Sequence, residues 1–250
     1  MNVQTRPGIT ADEWQTRCDL AALYRLVAHH GMADWIYTHL SARIPGPEHH
    51  FLINRYGTLF EEMTASDLVR VDLDGQVVGP DPQSRPINPA GFTIHSAIHA
   101  ARPELACVMH THTVAGVAVS AQARGLLPIS QHALKFHGHL AYHGYEGIAL
   151  DLDERARLVH DLGPHKAMIL RNHGLLVAGQ TIAEAWFEIY YLERACQIQV
   201  AAGDTALVIP PDAVQRHTAA QFNDGDPLPH CAMAWQSALR MIGDPAEYCR

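Results

Sequence analysis

A mixed fold of helices and strands, of the α/β class, is what the sequence predicts, and three observations predict it. Leu20, Leu23, Tyr24 and Val27 recur at i, i+3, i+4 and i+7, the stripe of a helix with one face in a core. Residues 38–44 alternate instead, with Leu40, Ala42 and Ile44 facing one way and His39, Ser41 and Arg43 the other, as in a half-buried strand. Residues 106–113 form an apolar run closing on His110-Thr111-His112-Thr113. As a strand, it projects the two imidazoles from one face, roughly 7 Å apart along the chain. At 250 residues and 48% hydrophobic composition, the chain can bury a substantial core.

The elements then follow in order. Thr10 and Glu13 form a capping box that opens the first helix, and Gly31 is placed to end it in a left-handed cap. Residues 51–54 read as a strand beside 38–44, with Arg55-Tyr56-Gly57-Thr58 as the turn beyond. Residues 64–67 make a short capped helical turn. Val69, Val71 and Leu73 alternate into Asp74-Gly75, a hairpin signal. The proline-rich residues 79–89 must be an extended connection, and Asn88-Pro89 opens a helix with a cap and an N1 proline.

That helix carries His95 and His99 one turn apart. A metalloprotease would place Glu after the first histidine, where Ser96 stands, so a structural or surface role is expected of the pair. The short Pro103 turn sends the chain into the His110 strand, packed beside the helix. Helices are expected after Thr113, at 153–162 on the surface, and from the Thr181/Glu184 capping box onward, with weaker ones near 212–221 and 230–242. Residues 167–170 and 175–177 are apolar strands around Arg171-Asn172-His173-Gly174. A histidine on such a turn is costly to place unless it has a function.

The net charge of −8 without a basic cluster argues against nucleic acid or an anionic membrane as partner. No apolar run approaches the roughly 20 residues of a membrane span, and no signal pattern opens the chain. The five scattered cysteines include no CxxC. They indicate neither a disulfide framework nor a zinc ribbon, and fit a reducing, cytoplasmic setting.

Ala101-Arg102-Pro103, His110-Thr111-His112-Thr113, Asn172-His173-Gly174-Leu175-Leu176 and Thr181-Ile182-Ala183-Glu184-Ala185, in this order and spacing, resemble the class II aldolase/adducin family from about residue 11 to about residue 205. The resemblance implies a three-layer α/β/α sandwich around a largely antiparallel sheet. It also implies one domain over 1–250, with a core of about 11–205 and a helical extension of about 206–250. Further implications are a homotetramer with active sites near subunit boundaries and one divalent ion per subunit on His110, His112 and His173. Three neutral imidazoles leave the ion's charge and some positions open, as catalytic sites do. All-nitrogen ligation suits Zn²⁺ first, with Fe²⁺, Mn²⁺ or Co²⁺ as alternatives.

Three departures from the aldolase pattern bear on chemistry. The family's catalytic glutamate matches Gly91. The phosphate-binding Gly-Asn-x-Ser matches Thr38-His39-Leu40-Ser41, and the second phosphate loop is altered at residues 55–58. The tyrosine proton donor from a neighbouring subunit aligns with His132. The chain thus looks closer to the adducin-like branch. A missing general base costs typically 10²–10⁴ in rate, which argues against proton abstraction from a sugar phosphate.

The expected function is a metal-dependent lyase that stabilises an enolate during retro-aldol cleavage or decarboxylation of a small non-phosphorylated carbonyl or carboxylate compound. His39 and Arg55 are candidates to bind substrate, and His132 and Tyr142 to move a proton. Arg55 could equally be a solvated turn residue, and Tyr142 a core residue with its hydroxyl satisfied. The alternatives are a non-haem Fe²⁺/O₂ oxygenase acting on a 2-oxo or 2-hydroxy acid, and a non-catalytic adducin-like binding module.

Overall fold

The computed structural model describes residues 7–81, 86–203 and 206–250, so part of the proline-rich connection lies outside the described residues. Helix α1 (Ala11–His29) starts where Thr10 accepts the Glu13 amide at 3.1 Å, and Gly31 follows it at φ +66°. Only half of the expected capping box forms. The Glu13 carboxylate turns inward to Arg17 and Arg70, both at 2.8 Å, instead of returning to the helix start. Burial decides this. Arg17 is 1% exposed, and an interior guanidinium needs carboxylates and carbonyls around it. Glu13, Asp81 and the Leu68 carbonyl supply them.

The strands β1 (His39–Arg43), β2 (Phe51–Asn54), β3 (Leu68–Val71), β4 (Cys107–Thr111), β5 (Leu140–His143), β6 (Ala167–Leu170) and β7 (Gly174–Gly179) make one sheet, ordered β3-β2-β1-β4-β7-β6-β5. Every neighbouring pair is antiparallel except β5 and β6. On one face lie α1, α3 (Val114–Ser120), α6 (Ile182–Ala202) and α8 (Leu228–Leu239), sharing a core with Leu40, Met109 and Val177. On the other lie α2 (Pro89–Ala101) and α5 (Glu154–Leu162), packed on Val108, Met168 and Leu176. This is the three-layer sandwich the resemblance implied, with a mixed sheet.

Two expectations are corrected. Strand β1 is buried on both faces, because α2 lies across its polar side; His39 is 3% and Ser41 0% exposed. For the same reason His95 and His99 are interior residues. The absence of a disulfide is also overturned. Cys18 on α1 is joined to Cys249, 231 residues away, a pairing that only the fold brings together. Cys107, Cys196 and Cys231 are free and buried.

Two smaller helices, α4 (Gln131–Leu134) and α7 (Asp212–Asn223), pack on one another near α6. Trp235 and Tyr248, from the C-terminal extension, are 6% and 4% exposed within their own chain's core. No helix among the described residues is long and apolar enough to cross a membrane.

Candidate metal centre

The alternation of β4 puts Met109 toward α6 and Val108 and His110 toward α2. His110 is fully buried, and its Nδ1 lies 2.9 Å from the Leu175 carbonyl of β7, which can only accept. The Nδ1–H therefore donates there, and Nε2 keeps its lone pair. His112 sits just past the end of β4, with Nδ1 3.0 Å from the Asp34 carboxylate, so that in the neutral ring Nδ1–H donates there and Nε2 is bare. This is the outer support that metal-binding histidines ordinarily have. His173 comes from the turn between β6 and β7, where Asn172 adopts φ +56°. A Cβ at Gly174 would collide with the Thr111 carbonyl, so glycine lets β7 close on β4 and brings His173 beside the other two.

The three rings stand with centroids 4.6–4.8 Å apart, and one nitrogen of each lies within 4.8 Å of the others. The Nε2 atoms of His110 and His112 are only 2.8 Å apart. Two lone pairs at that separation repel unless a cation stands between them. The donor set thus fits a divalent ion, and its all-imidazole chemistry leaves positions open to a substrate. Burial, then His173 and His112, holds His110 well below the ordinary histidine range, and burial, then His112, lowers His173 to about 4. Both are therefore neutral near pH 7, the form that ligates.

The cluster lines a cavity of about 380 Å³ whose wall includes Thr38, His39, Tyr56, Asn88 and Tyr145. No Lys or Arg contributes to that lining among the described residues. The mouth carries exposed apolar side chains, with Ile148 at 74% and Leu150 at 60%. His39 pairs with His110 across β1 and β4, its ring centroid 5.1 Å away. Its ring occupies the space above Gly91, where a Cβ would fall 2.5–2.9 Å from three of its atoms. Thr38 has φ +67°, an outlier for a β-branched residue, and its buried Oγ1 has no hydrogen-bond partner.

The remaining candidates stand elsewhere within one chain. Arg55 donates to Thr58 Oγ1 at 3.2 Å and opens on a separate cleft with Glu62, Asp67 and Arg250. His132 and Tyr142 lie on the α6 face of the sheet, opposite the metal cavity. The His132 ring packs on Tyr191, while the Tyr142 hydroxyl accepts the Leu126 amide at 3.0 Å beneath Arg171. Asp34, Thr38 and Tyr145 belong to the site but carried no local sequence signal, except that Thr38 fell in an altered loop.

The sequence family described as Class II Aldolase and Adducin N-terminal domain matches residues 18–200. An aldolase II superfamily protein from Pseudomonas syringae has a crystal structure similar to this chain, at 54% identity and TM-score 0.88, covering 94% of each chain. An L-fuculose 1-phosphate aldolase from Glaciozyma antarctica is 30% identical at TM-score 0.82, covering 95% of this chain and 92% of that one. Alpha-adducin of Rattus norvegicus is 49% identical over 185 residues, which are 74% of this chain but 25% of adducin. With its sandwich and its cluster of three histidines, the chain belongs to the class II aldolase/adducin family.

Proposed function

We propose that this chain is a metal-dependent carbon–carbon lyase acting on a small, non-phosphorylated carbonyl or carboxylate compound, by retro-aldol cleavage or decarboxylation. The observation that carries this reading is the pair of bare Nε2 atoms of His110 and His112, 2.8 Å apart beside His173 and open to a cavity. A divalent ion held there, Zn²⁺ as first choice and Fe²⁺ or Mn²⁺ next, supplies a Lewis acid that favours negative charge on a substrate oxygen. His110, His112 and His173 would hold it, and Asp34 would orient His112.

The cavity's chemistry narrows the substrate. A phosphate dianion is ordinarily met by Lys or Arg, and among the described residues no cationic side chain lines this wall, while the start of α2 that borders it has its Ala90 amide already taken by Asn88. His39, Thr38 and Asn88 offer hydrogen bonds to a smaller hydroxy or oxo acid. Arg55 as a carboxylate partner, and His132 or Tyr142 as proton carriers, would require a site shared between copies, because none of the three lines this chain's cavity. The exposed Tyr37, Tyr145, Ile148 and Leu150 at the mouth favour such an arrangement, a homo-oligomer with the neighbouring subunit covering that rim.

Two other readings have specific support. Three neutral ligands with open positions also suit a non-haem Fe²⁺/O₂ oxygenase acting on a 2-oxo or 2-hydroxy acid. The likeness to adducin favours a binding module without catalysis. Metal analysis of anaerobically purified protein, followed by assays on a panel of hydroxy and oxo acids, separates them. Zinc or manganese with CO₂ or aldehyde release in the absence of O₂ supports the lyase. Iron with substrate-triggered O₂ uptake overturns it, and metal-free protein inert under both conditions favours the binding module.

A further inference from the structure

The wall of the metal cavity is of two kinds. Apart from three tyrosine hydroxyls, its hydrogen-bonding side chains among the described residues are the clustered histidines with Thr38, His39 and Asn88. The other side chains are apolar. Ala90 and Ile94 stand one turn apart on α2, while Ile148, Ala149 and Leu150 come from the loop between β5 and α5. Ile94 and Ala149 are each 2% exposed and belong to the same buried cluster as Val108 and Leu176. The core between the sheet and α2 therefore opens into the cavity, and the apolar wall is where it surfaces.

The loop is held in place by its own chain. At its start the buried His143 lies between two carboxylates of α5, with Nδ1 2.7 Å from Asp161 and Nε2 3.4 Å from Glu154. Further on, Glu146 accepts from Arg157 Nε at 2.9 Å, and Ala149 is packed in the core. A wall fixed in this way needs little ordering on binding, and it selects by shape and polarity. A sugar-like chain carries a hydroxyl on nearly every carbon, and each one that leaves water without a partner is penalised. Ala90, Ile94, Ile148, Ala149 and Leu150 have no side-chain partner to give. A methylene buried in the same place gains about 4-fold in affinity.

We infer that the substrate carries an apolar alkyl or aryl body on its hydroxy or oxo acid head, and that Ile94, Ile148 and Leu150 select this body against a polyol. The inference rests on the metal-dependent chemistry proposed for the same cavity, since the ion and the polar part of the wall would hold the head.

Isothermal titration calorimetry of zinc-loaded protein tests it with 2-hydroxy acids that share one head and differ in body. The series is glycolate, 2-hydroxybutanoate and 2-hydroxyhexanoate, set against gluconate, which has the six-carbon chain of the last with a hydroxyl on every carbon beyond the carboxylate. Affinity should climb about 4-fold per methylene, and 2-hydroxyhexanoate should bind at least about 10-fold more tightly than gluconate. Ile148→Ser combined with Leu150→Ser, both at exposed positions, should flatten the climb and leave glycolate unchanged. Equal affinity along the series, gluconate binding as tightly as 2-hydroxyhexanoate, or no binding by any member overturns the inference. A climb that the double variant leaves intact also overturns it, because the body then lies elsewhere. If the variant does not fold, the wild-type series decides. The metal-dependent reading fails separately, through protein that retains no zinc or binds glycolate equally well without it, and the series is read in either case.

Discussion

Gly91→Ala is a one-methyl change whose sign the structure fixes. At an ordinary helix position, replacing glycine by alanine stabilises by about 0.5–1 kcal/mol, because alanine loses less backbone freedom on folding. Gly91 lies in the first turn of α2, and its φ is not positive, so no backbone strain opposes alanine. The obstacle is His39. A Cβ at 91 would stand 2.5 Å from its Cδ2, 2.7 Å from Cγ and 2.9 Å from Nε2. The ring cannot yield freely, since its Nδ1 is bonded to His95 and β1 is fixed between β2 and β4. Overpacking of a tight interior typically costs about 1–3 kcal/mol, and a broken interior hydrogen bond adds about 1 kcal/mol. Net destabilisation of about 1–3 kcal/mol is therefore expected by urea denaturation of metal-free protein. In a His39→Ala background the same substitution should turn neutral or stabilising, a coupling above about 1 kcal/mol. Stabilisation by Gly91→Ala alone, or equal effects in both backgrounds, would refute the packing of His39 over Gly91.

Further outcomes follow from other parts of the molecule. Asp34→Ala should weaken zinc binding by about 10-fold to 100-fold in a competition assay, because Asp34 orients His112; unchanged affinity would remove it from the site. Metal-free protein should lose stability steeply in mild acid. Burial depresses His39, His95, His99 and His110, with His99 at about 3, so below the ordinary histidine value near 6.5 the unfolded chain binds protons that the folded one refuses. Their contribution is full above that value and falls as the pH drops toward the folded values, by about 1.4 kcal/mol per pH unit for each ring. Denaturation midpoints that stay flat between pH 7 and pH 5 would contradict it. Reducing the Cys18–Cys249 bond, or Cys18→Ser, should cost about 2–5 kcal/mol through the long loop it closes. The two treatments should agree, and no loss in either would mean that the bond does not form in solution.

The parts that were legible in the sequence are those that a local pattern carries. The stripe on α1, the existence of strand β1 and the Asn88-Pro89 start of α2 each follow from side-chain periodicity or capping chemistry, and each formed, although β1 is buried on both faces instead of one. His110 and His112 were visible as a pair on one strand. His173 was conspicuous as a polar residue on a turn between apolar strands. What escaped were relations between distant elements. The β1 alternation placed His39 with Ser41, and the helical period placed His95 with His99. Nothing local said that the two pairs would mesh face to face, because helix-on-sheet register is set by packing. Glu13 shows the same limit from the other side. Its spacing from Thr10 predicts a capping box, and a buried Arg17 four residues on claims the carboxylate instead. Asp34, 78 residues from His112, and Cys249, 231 from Cys18, are brought to their partners by the fold alone.

His110, His112 and His173 together are expected to hold one divalent ion per chain. Metal content after zinc loading and desalting, measured by elemental analysis on wild type and His173→Ala, tests it most directly, with circular dichroism confirming that both are folded. One ion per wild-type chain and its loss in folded His173→Ala are expected. A wild-type chain that retains no ion, or a His173→Ala variant that retains as much as wild type, would contradict it.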